Sequence, residues 1–128
     1  MKIVINKCFG GFGLSQKATV EFATRKGYGI VVNTGTTGWG YTYLAPTLPA
    51  GTTLDVSGMD DDMWPEVLTD RDIERDDAVL VALVEEWGKK ASGQHASLAV
   101  VEIPDDVKWE IDEYDGSEHI AEVHRTWG

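Results

Sequence analysis

The chain has 128 residues, 42% hydrophobic and 26% charged, a size and composition that predict one domain with one hydrophobic core and exclude a disordered chain. Acidic residues outnumber basic ones 22 to 11, for a formal net charge of −11. The basic residues are scattered, so direct contact with nucleic acid or an anionic membrane is disfavoured; better solubility, a basic protein partner and mimicry of nucleic acid all fit the charge.

The lone cysteine, Cys8, cannot form an internal disulfide. The apolar stretch at the amino terminus is too short for a signal-peptide core, and the longest apolar run, Ala78 to Val84, ends at Glu85 and Glu86. These features lead to the expectation of a cytoplasmic protein with no membrane span.

In chain order, Ile3-Val4-Ile5 reads as a buried strand running into the glycine turn Gly10-Gly11-Phe12-Gly13. Ser15 is placed to cap a helix whose Ala18 and Phe22 share a face, and Gly27 is placed to stop it. Tyr28 to Val32 reads as a second strand, so the first third resembles a β-loop-α-β unit with a crossover helix. Trp39, Tyr41 and Tyr43 then alternate at strand period, and Pro46, Pro49 and Gly51 predict a turn before a return strand over Thr52 to Val56.

Asp60 to Asp77 is rich in acid and reads as a surface loop anchored by Trp64. Asp76 or Asp77 caps a helix carrying Leu80, Leu83, Val84 and Trp87 at i, i+3, i+4, i+7, with Glu85/Lys89 and Glu86/Lys90 pairs on its wet side and Gly93 closing it. Leu98 to Ile103 is a strand. The Asp115-Gly116 turn predicts a terminal hairpin that sets Ile111 opposite Ile120, Trp109 opposite Glu122 and Asp112 opposite His119. A helix capped by Ser117 competes with its second strand. The expected fold is thus α/β, with α+β as the alternative: one domain over 1–128, built on a single mixed sheet with two main helices and a C-terminal β-hairpin.

Chemistry concentrates in Cys8-Phe9-Gly10-Gly11-Phe12-Gly13-Leu14-Ser15, between the first strand and the first helix. Free amides at a helix N-terminus attract anions, glycine allows close approach, and Ser15 has a hydroxyl to donate. A phosphate cradle and a plain tight turn with Cys8 as a small buried hydrophobe both fit. The loop lacks the Gly-Lys-[Ser/Thr] ending of a P-loop and the third glycine of the dinucleotide fingerprint, where Gln16 stands. Leu14 stands where a cysteine phosphatase needs arginine, which argues against that chemistry. Trp39, Tyr41 and Tyr43 would supply the ring end of a nucleotide pocket if they face the same cleft as the loop, and otherwise read as core. His119 and His124 lack metal-ligand spacing, no pattern calls for a metal or cofactor, and no nucleophile has a base at diagnostic spacing.

The segments Lys2-Ile3-Val4-Ile5-Asn6-Lys7-Cys8-Phe9-Gly10-Gly11-Phe12-Gly13-Leu14-Ser15 and Glu113-Tyr114-Asp115-Gly116-Ser117-Glu118-His119-Ile120-Ala121-Glu122-Val123-His124-Arg125-Thr126-Trp127, together with Ile73-Glu74-Arg75-Asp76-Asp77, resemble a group of small uncharacterised bacteriophage and prophage proteins. The resemblance implies a phage accessory protein acting inside a bacterium. The leading expectation is a non-enzymatic protein holding a phosphorylated small molecule, such as a nucleotide, at Cys8, Gly10, Gly11, Phe12, Gly13, Ser15, Trp39 and Tyr41; sequestering a nucleotide signal is one use that the phage resemblance suggests. The alternatives are an inhibitor that binds a host protein through the acidic surface of Asp60 to Asp77, and an enzyme using Cys8.

Overall fold

The computed structural model describes residues 1–33 and 41–123. Their elements are β1 (Lys2–Asn6), α1 (Gln16–Lys26), β2 (Tyr28–Asn33), β3 (Tyr41–Pro49), β4 (Thr53–Asp55), α2 (Ala78–Trp87), β5 (Leu98–Glu102), β6 (Trp109–Tyr114) and β7 (Ser117–Glu122). Short 3-10 turns cover Asp61–Met63, Asp70–Asp72 and Gly88–Ala91.

The strands form three small sheets and not the single mixed sheet expected: β1 with β5, β2 flanked by β3 and β4, and β6 with β7. The reason lies at the edges of β1. One side pairs antiparallel with β5, Val4 opposite Val100. On the other side the Val4 amide donates to the Arg75 carbonyl and the Asn6 amide to the Glu118 carboxylate. No ladder remains for β2, so the first third is not a β-loop-α-β crossover within one sheet.

The hairpin expected between β3 and a return strand is also replaced. β2 pairs antiparallel with β3 and parallel with β4, so the two lie on opposite sides of it. The β3–β4 connection crosses over Gly29, where a Cβ would come within 2.7 Å of the Leu48 Cβ and 3.0 Å of the Pro49 and Thr52 carbonyl oxygens. Only glycine leaves room for that crossing. Pro46 and Pro49 sit in β3 itself, an edge strand with an irregular register opposite Tyr28 and Gly29, where a missing amide costs no ladder bond.

Both helices form as their patterns dictate. The Ser15 hydroxyl accepts from the Ala18 amide, and Gly27 closes α1 on the Ala23 and Thr24 carbonyls. Asp77 accepts from the Val79 and Leu80 amides at the start of α2. α2 ends at Gly88 and not at Gly93, whose amide instead donates to the Gly13 carbonyl. Because the α-helix breaks before Lys89 and Lys90, the expected pairs on its wet face are replaced: Glu85 meets Lys2 at 3.1 Å and Glu86 meets Arg25 of α1.

Val4, Phe22, Leu44, Leu80, Leu83 and Leu98 join one core shared by the helices and two of the sheets. Val31, Ala45 and Val56 form a second cluster with Tyr43 and Trp64, as the strand period requires. The C-terminal hairpin has the expected register, including Ile111 opposite Ile120 and Asp112 opposite His119. Among the described residues no helix is long and apolar enough to cross a membrane.

Candidate functional site

The glycine loop is built into the protein. Asn6, fully buried, closes the start of the loop with four bonds: its Nδ2 donates to the Cys8 and Gly116 carbonyls, and its Oδ1 accepts from the Cys8 and Ser97 amides. At Gly10 a Cβ would fall 2.1 Å from the His95 carbonyl oxygen and 2.3 Å from its Cβ. Gly116, at the hairpin turn, is buried against the Phe9 carbonyl and the Gly11 amide. Phe12 is buried under the Arg75 guanidinium, 3.7 Å above its ring centroid.

The far end of the loop is equally engaged. The Leu14 amide donates to the Asp70 carboxylate at 2.9 Å, so an internal carboxylate already satisfies this amide of the loop. The Ser15 amide donates to the Ala91 carbonyl, and its hydroxyl donates to the Lys90 carbonyl while capping α1. Gly10 and Gly116 therefore serve close packing of the loop, the first against His95 and the second against the backbone of Phe9 and Gly11. Arg71 also lies beside the loop, near Gly11.

Two clefts flank the first turn of α1. The larger, about 910 Å³, is lined by Ser15, Gln16, Lys17, Glu86, Trp87 and Lys90. Lys17 and Lys90 are exposed and form no ion pair with a described residue, whereas Glu86 is neutralised by Arg25. The Gln16 and Lys17 amides, at the open end of the helix, donate to no described group. In a chain of net charge −11, this cleft is a local positive surface beside a half-buried indole. The smaller cleft, about 290 Å³, is lined by Leu14, Gln16, Thr19, Tyr41, Thr42, Tyr43, Thr69 and Asp70.

Of the residues expected to form one site, Ser15 reaches the larger cleft and Tyr41 the smaller, while Cys8, Gly10, Gly11, Phe12 and Gly13 line neither. Trp39, like His124, lies outside the described residues. Sequence reasoning missed Lys17, Trp87 and Lys90. Trp87 fits the apolar stripe of α2, and Lys90 sits four residues from Glu86, so both satisfied simpler patterns. The useful signal was Gly88, a helix stop that frees Lys90 from that pairing. Among the described residues no group of three or more His, Cys, Asp or Glu side chains is placed to hold a metal ion. No protein-family model, curated protein or solved structure matches the chain.

Proposed function

We propose that the protein is a non-enzymatic binder of a phosphorylated ring compound, a nucleotide being the simplest example, held in the cleft of Lys17, Trp87 and Lys90. The observation that carries this reading is the pairing of two unpartnered lysines with an indole face at the open end of α1. The lysines and the Gln16 and Lys17 amides suit a phosphate, and Trp87 offers a ring platform, with stacking worth about 1–3 kcal/mol. The site thus lies one turn beyond the glycine loop, where Asp70 does not compete for the anion. The resemblance of the chain ends to phage proteins supports a role inside an infected bacterium, sequestering such a compound.

Calorimetric titration with adenosine monophosphate, adenosine and inorganic phosphate at two salt concentrations tests this. The nucleotide is expected to bind tightest, to raise the melting temperature, and to lose affinity with salt and by tenfold or more in the Lys17→Glu, Lys90→Glu variant. Binding that survives reversal of both lysines would reject the site.

A second reading, an inhibitor of a basic host protein, is favoured by a second acidic surface besides the one the sequence suggested. Within 60–77 the carboxylates of Asp70, Asp72 and Asp77 each accept an amide of the fold, while Asp60, Asp62, Glu66, Glu74 and Asp76 stay exposed. Exposed acid also covers the hairpin, at Glu110, Asp112, Glu113, Asp115 and Glu122, beside Tyr114, which is 78% exposed. Salt-sensitive binding of a basic protein, lost in Glu110→Lys, Asp112→Lys, would favour it; capture indifferent to both would remove it.

A further inference from the structure

We infer that the smaller cleft, between the first turn of α1 and the start of β3, is a second binding site, which takes an uncharged ring or sugar rich in N-H or O-H donors and bearing no phosphate. Its walls are acceptors and hydroxyls. Asp70 spends Oδ2 on the Leu14 amide, and its Oδ1 accepts from no described group. The Thr19 hydroxyl donates to the Ser15 carbonyl, which leaves its oxygen to accept, and that of Thr69 donates to Asp72. Tyr41, Thr42 and Tyr43 line the cleft from the start of β3, and the hydroxyl of Thr42, on the strand face of the core residue Leu44, engages no described group and can rotate to match a ligand.

Charge and size narrow the class. No lysine or arginine lines this cleft, while a carboxylate does, so an anion is repelled here as it is attracted on the Trp87 side. A volume of about 290 Å³ lies at the low end for ligand pockets and fits one ring system. Tyr41, 64% exposed, borders the cleft at the start of β3, where a ligand can contact its ring. Gln16 lines both clefts, so the two sites are neighbours with opposite charge preferences.

The test is a heteronuclear NMR titration of the whole chain with adenosine, using benzoate as a ring-bearing anion. Adenosine is expected to shift the amides of Thr19, Thr42 and Thr69 saturably, and benzoate to leave them unmoved. Tyr41→Ala, at an exposed position that the core does not need, should weaken adenosine binding about fivefold or more. Thr42→Val should weaken it while keeping side-chain shape, and Lys17→Glu should leave it unchanged. Absence of saturable shifts at these threonines, equal binding by benzoate, or undiminished affinity in Tyr41→Ala overturns the proposal. Because the Trp87 cleft is silenced by lysine reversal and this one is not, failure of either site is read separately.

Discussion

The Arg75 guanidinium holds the Glu118 carboxylate through two bonds, of 2.6 and 2.9 Å, joining the segment before α2 to the second strand of the C-terminal hairpin. Glu118 also accepts the Asn6 amide of β1, and the Arg75 guanidinium lies over the Phe12 ring. One buried pair thus ties β1, the glycine loop, the pre-α2 segment and the hairpin together.

Breaking that pair leaves one charge without its partner in a site where the two side chains are only 16% and 6% exposed. Glu118→Ala is expected to cost about 3–5 kcal/mol, read as a lower urea midpoint at unchanged slope. A loss under about 1 kcal/mol would place the pair with surface ion pairs in its effect.

Two glycines of the same loop should respond differently to a methyl group. At Gly10 the added Cβ collides with the His95 backbone, whereas at Gly13 the nearest atom is the Asp70 Oδ2 at 3.6 Å. Gly10→Ala is therefore expected to destabilise by about 1–3 kcal/mol, and Gly13→Ala to change little. Equal effects in thermal unfolding would refute the packing role assigned to Gly10.

Ser15→Ala removes both the cap on Ala18 and the bond to the Lys90 carbonyl. A stability loss of about 1–2 kcal/mol is expected, with phosphate affinity changed far less than by lysine reversal. The reverse ranking would return Ser15 to the role of a ligand donor.

Acid sensitivity should pass in part through Asp77. Burial pushes its carboxyl up, but hydrogen bonds from Lys26 and from the Leu80 and Val79 amides, with the Lys26 charge, outweigh that and hold it below the usual carboxylate value. A carboxyl lowered in the folded state contributes stability that is complete above its unfolded value, about pH 4, and is lost as the pH falls through the folded one. Asp77→Asn keeps a capping oxygen, so stability below about pH 4 should depend less steeply on pH than in the parent. An unchanged slope in unfolding measurements across that range would exclude Asp77 as a contributor.

Local order was written in the chain itself. The caps Ser15 and Asp77, the stop at Gly27 and the Asp115-Gly116 turn depend on atoms within a few residues of one another, and so does the hairpin register that brings His119 to 3.5 Å from Asp112. A cap or a two-residue turn needs no distant partner, so its signal is complete in the sequence. The sheet arrangement and the clefts have no such local signal. Which edge of β1 is taken depends on Arg75 and Glu118, and which amide Asp70 satisfies depends on how the helices fold back over the glycine loop. Trp87, Lys17 and Lys90 become neighbours only once α1 and α2 pack together, because side chains far apart in sequence share a surface only after the core between them has formed.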